Sequence, residues 1–214
     1  MTKIRGETIR ALILAAGESR RFNGIKLLTN IHGDTLLNRT IKQYREAGFD
    51  SIYIALGAHA EPIKETLPED VQTITVKHWQ KGMGHSLSEA VTCIMQKTAF
   101  QVEDRLAIGI ADQVNIDSAE LMLLREAALL HTSSIVVASY NGIQAVPAIF
   151  SSQDFEHLTL LSGDAGAKDY IKKSKDRVVS IEMPSAAFDI DTKNDLHAWQ
   201  LSQEDQRPAR INDD

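Results

Sequence analysis

An α/β fold of three layers, built on a mostly parallel sheet, is predicted by three features of this 214-residue sequence. Short apolar runs alternate with longer stretches of helical period. The runs are apolar almost throughout, as strands are when both faces are covered. Their strand–helix order brings the chain back through right-handed crossovers to a parallel sheet.

Composition sets the outer limits. A hydrophobic content of 43% suits one domain over residues 1–202, with the polar stretch 203–214, which carries Pro208, as a frayed tail. The net charge of −6 does not suit a nucleic-acid binder, which needs clustered Lys and Arg, so any phosphate chemistry must rest on a local basic site. Cys93 is the only cysteine, so no disulfide can form within the chain. No apolar run approaches the length of a membrane span, and residues 1–10 carry no signal core. A cytoplasmic protein is the expectation.

The first strand, residues 9–14, runs into Ala15-Ala16-Gly17-Glu18-Ser19-Arg20-Arg21-Phe22-Asn23-Gly24-Ile25-Lys26. Ligands of open α/β sheets bind beyond the carboxyl ends of strands, and small residues there let backbone N–H groups approach an anion. Arg21 offers a fork to phosphate oxygens and Lys26 a point charge. Neither the P-loop pattern nor Gly-x-Gly-x-x-Gly is present.

A helix is expected over 35–46, with Gly48 past its end, then a strand over 51–56 and a short helix over 61–67 stopped by Pro68. A third strand spans 72–76. The turn Trp79-Gln80-Lys81-Gly82-Met83-Gly84-His85-Ser86 follows, leading into a helix over 86–96 with Ser86 as a candidate N-cap. His85 reads as a solvated histidine at a helix start, and Cys93 as packing.

The fourth strand, 105–110, ends at Ala111-Asp112-Gln113. A carboxylate at the end of a central strand points into the cleft, and Mg²⁺ takes one or two carboxylates plus phosphate oxygens. A helix over 117–131 opens with Asp117 and Glu120 at capping-box spacing, and a fifth strand covers 134–139. Beyond Tyr140 the pattern changes, with short strands expected at 145–150, 178–181 and 188–190. Asp189 and Asp191 share a face if extended, while Asp191 and Thr192 are also candidate caps for the last helix.

Six blocks in order across residues 9–199 resemble the molybdenum cofactor cytidylyltransferase group of nucleotidyltransferases. They are Leu14–Phe22 with Lys26, Trp79–Leu87, Asp112-Gln113, Gly142–Phe150, Leu161–Lys168 and Asp189–Leu196. The departures are Asn23, Ala111, Ala145, where the group has Gly, and Val114 and Lys193, where it has Pro.

The resemblance implies a Rossmann-like sheet of the nucleotide-diphospho-sugar transferase type. It implies Arg21, Lys26, Asp112 and Asp191 as catalytic residues, with Mg²⁺ on Asp112 and Asp191 and Asp189 in support. Leu14, Ala15, Ala16, Gly17, Gly82, Gly84 and Ser86 would hold the nucleotide. Pro147, Gly163, Asp164, Gly166 and Lys168 would hold the acceptor. The implied reaction transfers CMP from CTP to the terminal phosphate of a molybdopterin-type cofactor, for delivery to a molybdenum hydroxylase or its chaperone. Within the group Ala-Ala-Gly goes with cytidine and Ala-Gly-Gly with guanosine. The rivals are a GTP user, a maker of CDP-alcohols or nucleotide sugars, and a non-catalytic carrier of the cofactor. No Pro precedes Lys26, which speaks against the CDP-alcohol type.

Overall fold

The computed structural model describes residues 8–205. The chain begins with β1 (Ile9–Ala15), followed by a small ribbon of β2 (Asn30–Ile31) and β3 (Asp34–Thr35). Helix α1 (Leu36–Glu46) starts where the Thr35 hydroxyl accepts the Asn38 N–H at 3.1 Å, and ends ahead of Gly48, whose φ of +79° few other residues adopt. Next come β4 (Ile52–Leu56), α2 (Ala60–Lys64), β5 (Gln72–Thr75), α3 (Met83–Lys97) and β6 (Arg105–Ile110). The expected capping box is formed at α4 (Ser118–Leu130), between Asp117 and Glu120. The remainder comprises β7 (Ile135–Tyr140), β8 (Ile143–Ser151), α5 (Phe155–Thr159), α6 (Ala167–Lys173), β9 (Val178–Glu182) and α7 (Lys193–Asp205).

Seven strands form one sheet in the order β5-β4-β1-β6-β8-β7-β9. Strand β8 is antiparallel to both neighbours, and the other pairings are parallel. Successive residues of β1 serve opposite faces, as the pleat requires. Ile13 packs with Leu37, Ile41 and Leu124 from α1 and α4, while Leu12 packs with Leu87, Val91 and Ile94 from α3. Each such side chain stabilises the fold by roughly 1.5–3 kcal/mol. The result is the three-layer sheet that the apolar runs predicted, with β1 and β6 at its centre.

Three expectations are corrected. Residues 188–190 form no ladder; the Ile190 N–H donates to the Asp112 carbonyl at 3.1 Å, and the segment runs past the sheet as extended chain. Helix α3 starts at Met83, with Gly82 in the cap position, so Ser86 lies inside the first turn and its hydroxyl donates to the Gly82 carbonyl at 3.2 Å. Helix α7 continues to Asp205, and residues 206–214 of the expected tail lie outside the described residues.

Beyond β8 the chain is fastened by Asp154, which is fully buried. Its carboxylate accepts from Tyr170 Oη at 2.9 Å, from Arg177 at 3.0 Å and from the Ser151 hydroxyl at 2.7 Å. These bonds tie α6 and the approach to β9 onto β8. Breaking a buried pair from one side leaves donors without partners and costs about 3–5 kcal/mol. Because the Arg177 side chain keeps 37% of its exposure, Asp154→Ala is expected to fall at the lower end of that range, as a reduced urea midpoint with unchanged slope.

Candidate active site

The carboxyl ends of β1 and β6 lie side by side, Leu14 opposite Ile110. The loops leaving them face the turn after β5 across a cleft of about 430 Å³. Leu14, Ala15, Ala16 and Gly17 line it from β1, followed by Glu18, Ser19, Arg20, Arg21, Lys26 and Leu27. Trp79, Gln80, Gly82, Met83 and Ser86 line the opposite wall, and Ala111, Asp112 and Asp191 close one end.

Local chemistry shapes the first loop. Buried Phe22 and Leu27 anchor it to the core. Between them Asn23 has φ +52°, a left-handed conformation that Asn tolerates where most residues resist it. That turn sends Lys26 back toward the sheet. Lys26 is buried, and a buried ammonium needs a partner.

It has two. Lys26 Nζ donates to Asp112 Oδ2 at 2.7 Å and reaches Asp191 Oδ1 at 3.5 Å. Arg21 pairs with the other oxygen of Asp191 at 2.9 Å. The four residues expected to be catalytic therefore meet in one cluster. The two cations differ in freedom. Arg21 keeps 71% of its side-chain exposure, so its pair is weak and easily exchanged, whereas Lys26 keeps only 10% and is fixed.

Backbone bonds hold the carboxylates in place. The Ala111 N–H donates to the Leu14 carbonyl at 3.2 Å, extending the β1–β6 ladder by one residue, and Thr40 of α1 donates to the Ala111 carbonyl at 3.1 Å. Ile190 then docks on the Asp112 carbonyl. The cap of α7 falls to Thr192, whose hydroxyl accepts the Asp195 N–H at 3.2 Å while Asp195 accepts from Thr192 in return. The Asp191 carboxylate is left for Lys26 and Arg21. Behind Asp112, buried Gln113 braces the wall by donating to the carbonyls of Ala186 at 2.8 Å and Val146 at 3.3 Å.

Too much negative charge gathers here for one ammonium. Asp112 Oδ1 is buried with no hydrogen-bond partner among the described residues. Asp189 is exposed at the rim, yet loss of water around its carboxyl, then repulsion by Asp112 and Asp191, pushes its pKa up to about 6 against the pull of Lys26.

The second wall rests on the block expected to bind the acceptor. The Gly84 N–H donates to the Gly163 carbonyl at 2.9 Å. A methyl on Gly82 would overlap Gly163 and Asp164, and one on Gly84 would overlap the Ala165 carbonyl. Gly166 lies against the Met83 side chain. Gly84, Gly163, Asp164, Gly166, Lys168 and Pro147 do not line the cleft; Gly84, Gly166 and Pro147 are buried, Gly163 and Asp164 are exposed against the Gly82 turn, and Lys168 is exposed on α6. Sequence reasoning singled out the glycines and passed over Trp79, Gln80 and Met83, which form the wall itself. The signal was a tryptophan and a methionine flanking Gly82. Gly57 lets this wall close, because any side chain there would strike Ala16 and Trp79.

A pH dependence follows from Asp189. An acid whose pKa rises from 3.8 to about 6 on folding binds more protons folded than unfolded across that window. Stability is therefore greatest at its acid end and is lost as pH rises through 6. In chelator, Asp189→Asn is expected to melt above the parent at pH 7.5, with the difference vanishing near pH 4 in paired thermal scans.

Known proteins share the sequence pattern and the fold of this chain. The chain is 27% identical over 184 residues to purine catabolism protein PucB of Bacillus subtilis, covering 80% of this chain and 84% of PucB. Its fold is similar to that of Rv0371c from Mycobacterium tuberculosis, with TM-score 0.77, 23% identity, and 92% and 100% of the two chains covered. A nucleotidyl transferase from Methanothermobacter gives TM-score 0.77 at 18% identity, with 94% and 100% covered. The family model of the MobA-like NTP transferase domain matches residues 11–178, and the chain belongs to that family, as a nucleotidyltransferase.

Proposed function

We propose that this nucleotidyltransferase moves CMP from CTP to the terminal phosphate of a molybdopterin-type cofactor, releasing pyrophosphate. One observation carries the reading. Lys26 gathers Asp112 and Asp191 at the mouth of the β1–β6 pair, beside Ala15-Ala16-Gly17, in a cleft of nucleotide size.

The residues present fit a hard divalent cation such as Mg²⁺. Asp112 offers a buried carboxylate oxygen without a hydrogen bond, Asp191 a second carboxylate, and Asp189 adds negative charge nearby. When bound, such an ion neutralises phosphate charge and polarises the α-phosphorus.

The chain's own groups do the rest. Arg21, exposed and weakly paired, swings from Asp191 to the triphosphate. Lys26 stays in place and offers fixed positive charge where the leaving pyrophosphate gains negative charge. Trp79 and Met83 cover the nucleotide opposite Leu14–Gly17. The acceptor enters over the adjoining rim, where Gly163 and Asp164 are exposed against the Gly82 turn, and Gly166, Lys168 and Pro147 are carried over to it by the sequence resemblance. Its phosphate oxygen is already ionised at neutral pH, so attack on the α-phosphorus needs no general base. Positioning and charge supply the rate.

The base and the acceptor rest on sequence likeness. Ala15-Ala16-Gly17 matches the cytidylyl form of the loop. A molybdenum hydroxylase, or its chaperone, as recipient of the product rests on the same resemblance of the sequence blocks.

The chain should be incubated with each of the four nucleoside triphosphates, Mg²⁺ and purified molybdenum cofactor. Pyrophosphate release with CTP alone, and only when the cofactor is present, is expected. Turnover with GTP would overturn the base assignment, and turnover on a sugar phosphate or alcohol phosphate instead of the cofactor would overturn the acceptor. Lys26→Ala is expected to lower turnover by roughly 10²–10³-fold, the usual loss for one preorganised charge, while circular dichroism remains that of the folded chain.

A further inference from the structure

We infer that His78, His85 and Glu89 form a second metal site, for a nitrogen-preferring ion of the Zn²⁺ class, outside the nucleotide cleft. One ligand atom from each residue can be chosen so that all lie within 4.8 Å of one another. The three residues come from two elements. His85 and Glu89 stand four apart on α3 and so share a face. His78 sits at the entrance to the turn that precedes the helix.

The carboxylate is already oriented. Glu89 accepts the Lys77 N–H at 2.9 Å and the His78 N–H at 3.3 Å, which aims its second oxygen at the His78 ring, 3.6 Å from Nδ1. That distance is too long for a hydrogen bond. The His85 ring meets His78 edge-on, with centroids 5.6 Å apart and planes at 86°. Two imidazoles and a carboxylate, within 4.8 Å of one another, stand wider than the roughly 3.3–3.5 Å between donors on a tetrahedral Zn²⁺ with ~2.0–2.2 Å bonds, so side-chain rotation draws them in on binding. The donor set is the opposite of the one at Asp112 and Asp191. All-oxygen sites suit Mg²⁺, whereas imidazole selects borderline ions. Solvent reaches the group, since the His78 side chain is 54% exposed and that of Glu89 26%.

Its place in the fold gives it a task. None of the three residues lines the cleft, but the chain between them carries Trp79, Gln80, Gly82 and Met83, which do. An ion bound across His78 and His85 therefore closes both ends of the nucleotide-facing turn. It acts as a clamp on the second wall and takes no part in the chemistry.

The test is calorimetric titration of Zn²⁺ into the tag-free, metal-stripped full chain in excess Mg²⁺, which keeps the carboxylate site filled. One Zn²⁺ per chain is expected. His85→Ala and His78→Ala should each weaken it by more than the ~10–100-fold typical of losing an outer-shell partner, while Asp112→Asn binds Zn²⁺ as the parent does. His85→Ala leaves the Glu89 backbone contacts intact, so its unfolding midpoint in chelator should match the parent and show that the fold survives. Undiminished Zn²⁺ binding in both histidine variants, loss of binding in Asp112→Asn, or a folded parent that takes up no Zn²⁺ would each overturn the site. None of these outcomes bears on CMP transfer.

Discussion

A single buried ammonium holds the functional end of this molecule together. Lys26 comes from the loop after β1, Asp112 from the end of β6, and Asp191 from the segment before α7. These three pieces lie far apart in sequence and share no strand pairing at that point. Burying a lysine is unfavourable unless opposite charge meets it, and burying Asp112 is unfavourable for the same reason. Each therefore requires the other, and the fold brings them together by ordinary means. Phe22 and Leu27 sink the loop into the core, Thr40 and Leu14 fix the end of β6, and Ile190 docks the last segment on Asp112. The charges are balanced only in part. Asp189 is pushed toward neutrality, and one oxygen of Asp112 is left without a hydrogen bond. A site with surplus carboxylate and two cations of unequal mobility is prepared for a metal and a polyphosphate.

A second constraint is steric. The wall that faces the β1 loop is a turn whose glycines press directly on the Gly163–Ala165 backbone, so the turn and that block are one packed unit. Asp154 holds the far end of that unit to β8. Displacement of the Gly163 block would carry the Trp79–Met83 wall with it.

Much of this was legible in the sequence. Strand β1 is covered on both faces, so its continuous apolar run identified it as central. Asp112 stood out because a lone acid follows another such run. Asp117 and Glu120 announced the start of α4 through bonds that are local in sequence. What stayed hidden depended on distant partners. The reversal of β8 comes from the Asn141-Gly142 turn, whose φ values of +51° and +72° suit a tight hairpin, yet Asn-Gly shows only that a turn occurs and not that the strand inserts beside β6. Phe188 and Ile190 alternate like a strand, but the Ile190 N–H is taken by the Asp112 carbonyl beyond the end of β6, so the segment runs past the sheet instead of joining it. Ser86 has the chemistry of a cap, and Gly82 took the position because only glycine fits against Gly163. The choice between Asp191 and Thr192 as the cap of α7 was settled by the docking of Ile190, which turns Asp191 inward.

The central claim is that Asp112 and Asp191 form one metal-binding pair next to the β1 loop. It is tested most directly by crystals grown with Mn²⁺ and a non-hydrolysable cytidine triphosphate analogue, using anomalous scattering to locate the metal. The account predicts a Mn²⁺ peak within bonding distance of both carboxylates, with Lys26 and Arg21 on the phosphates. A peak bound to neither aspartate, with the triphosphate lying away from Ala15–Lys26, would contradict it.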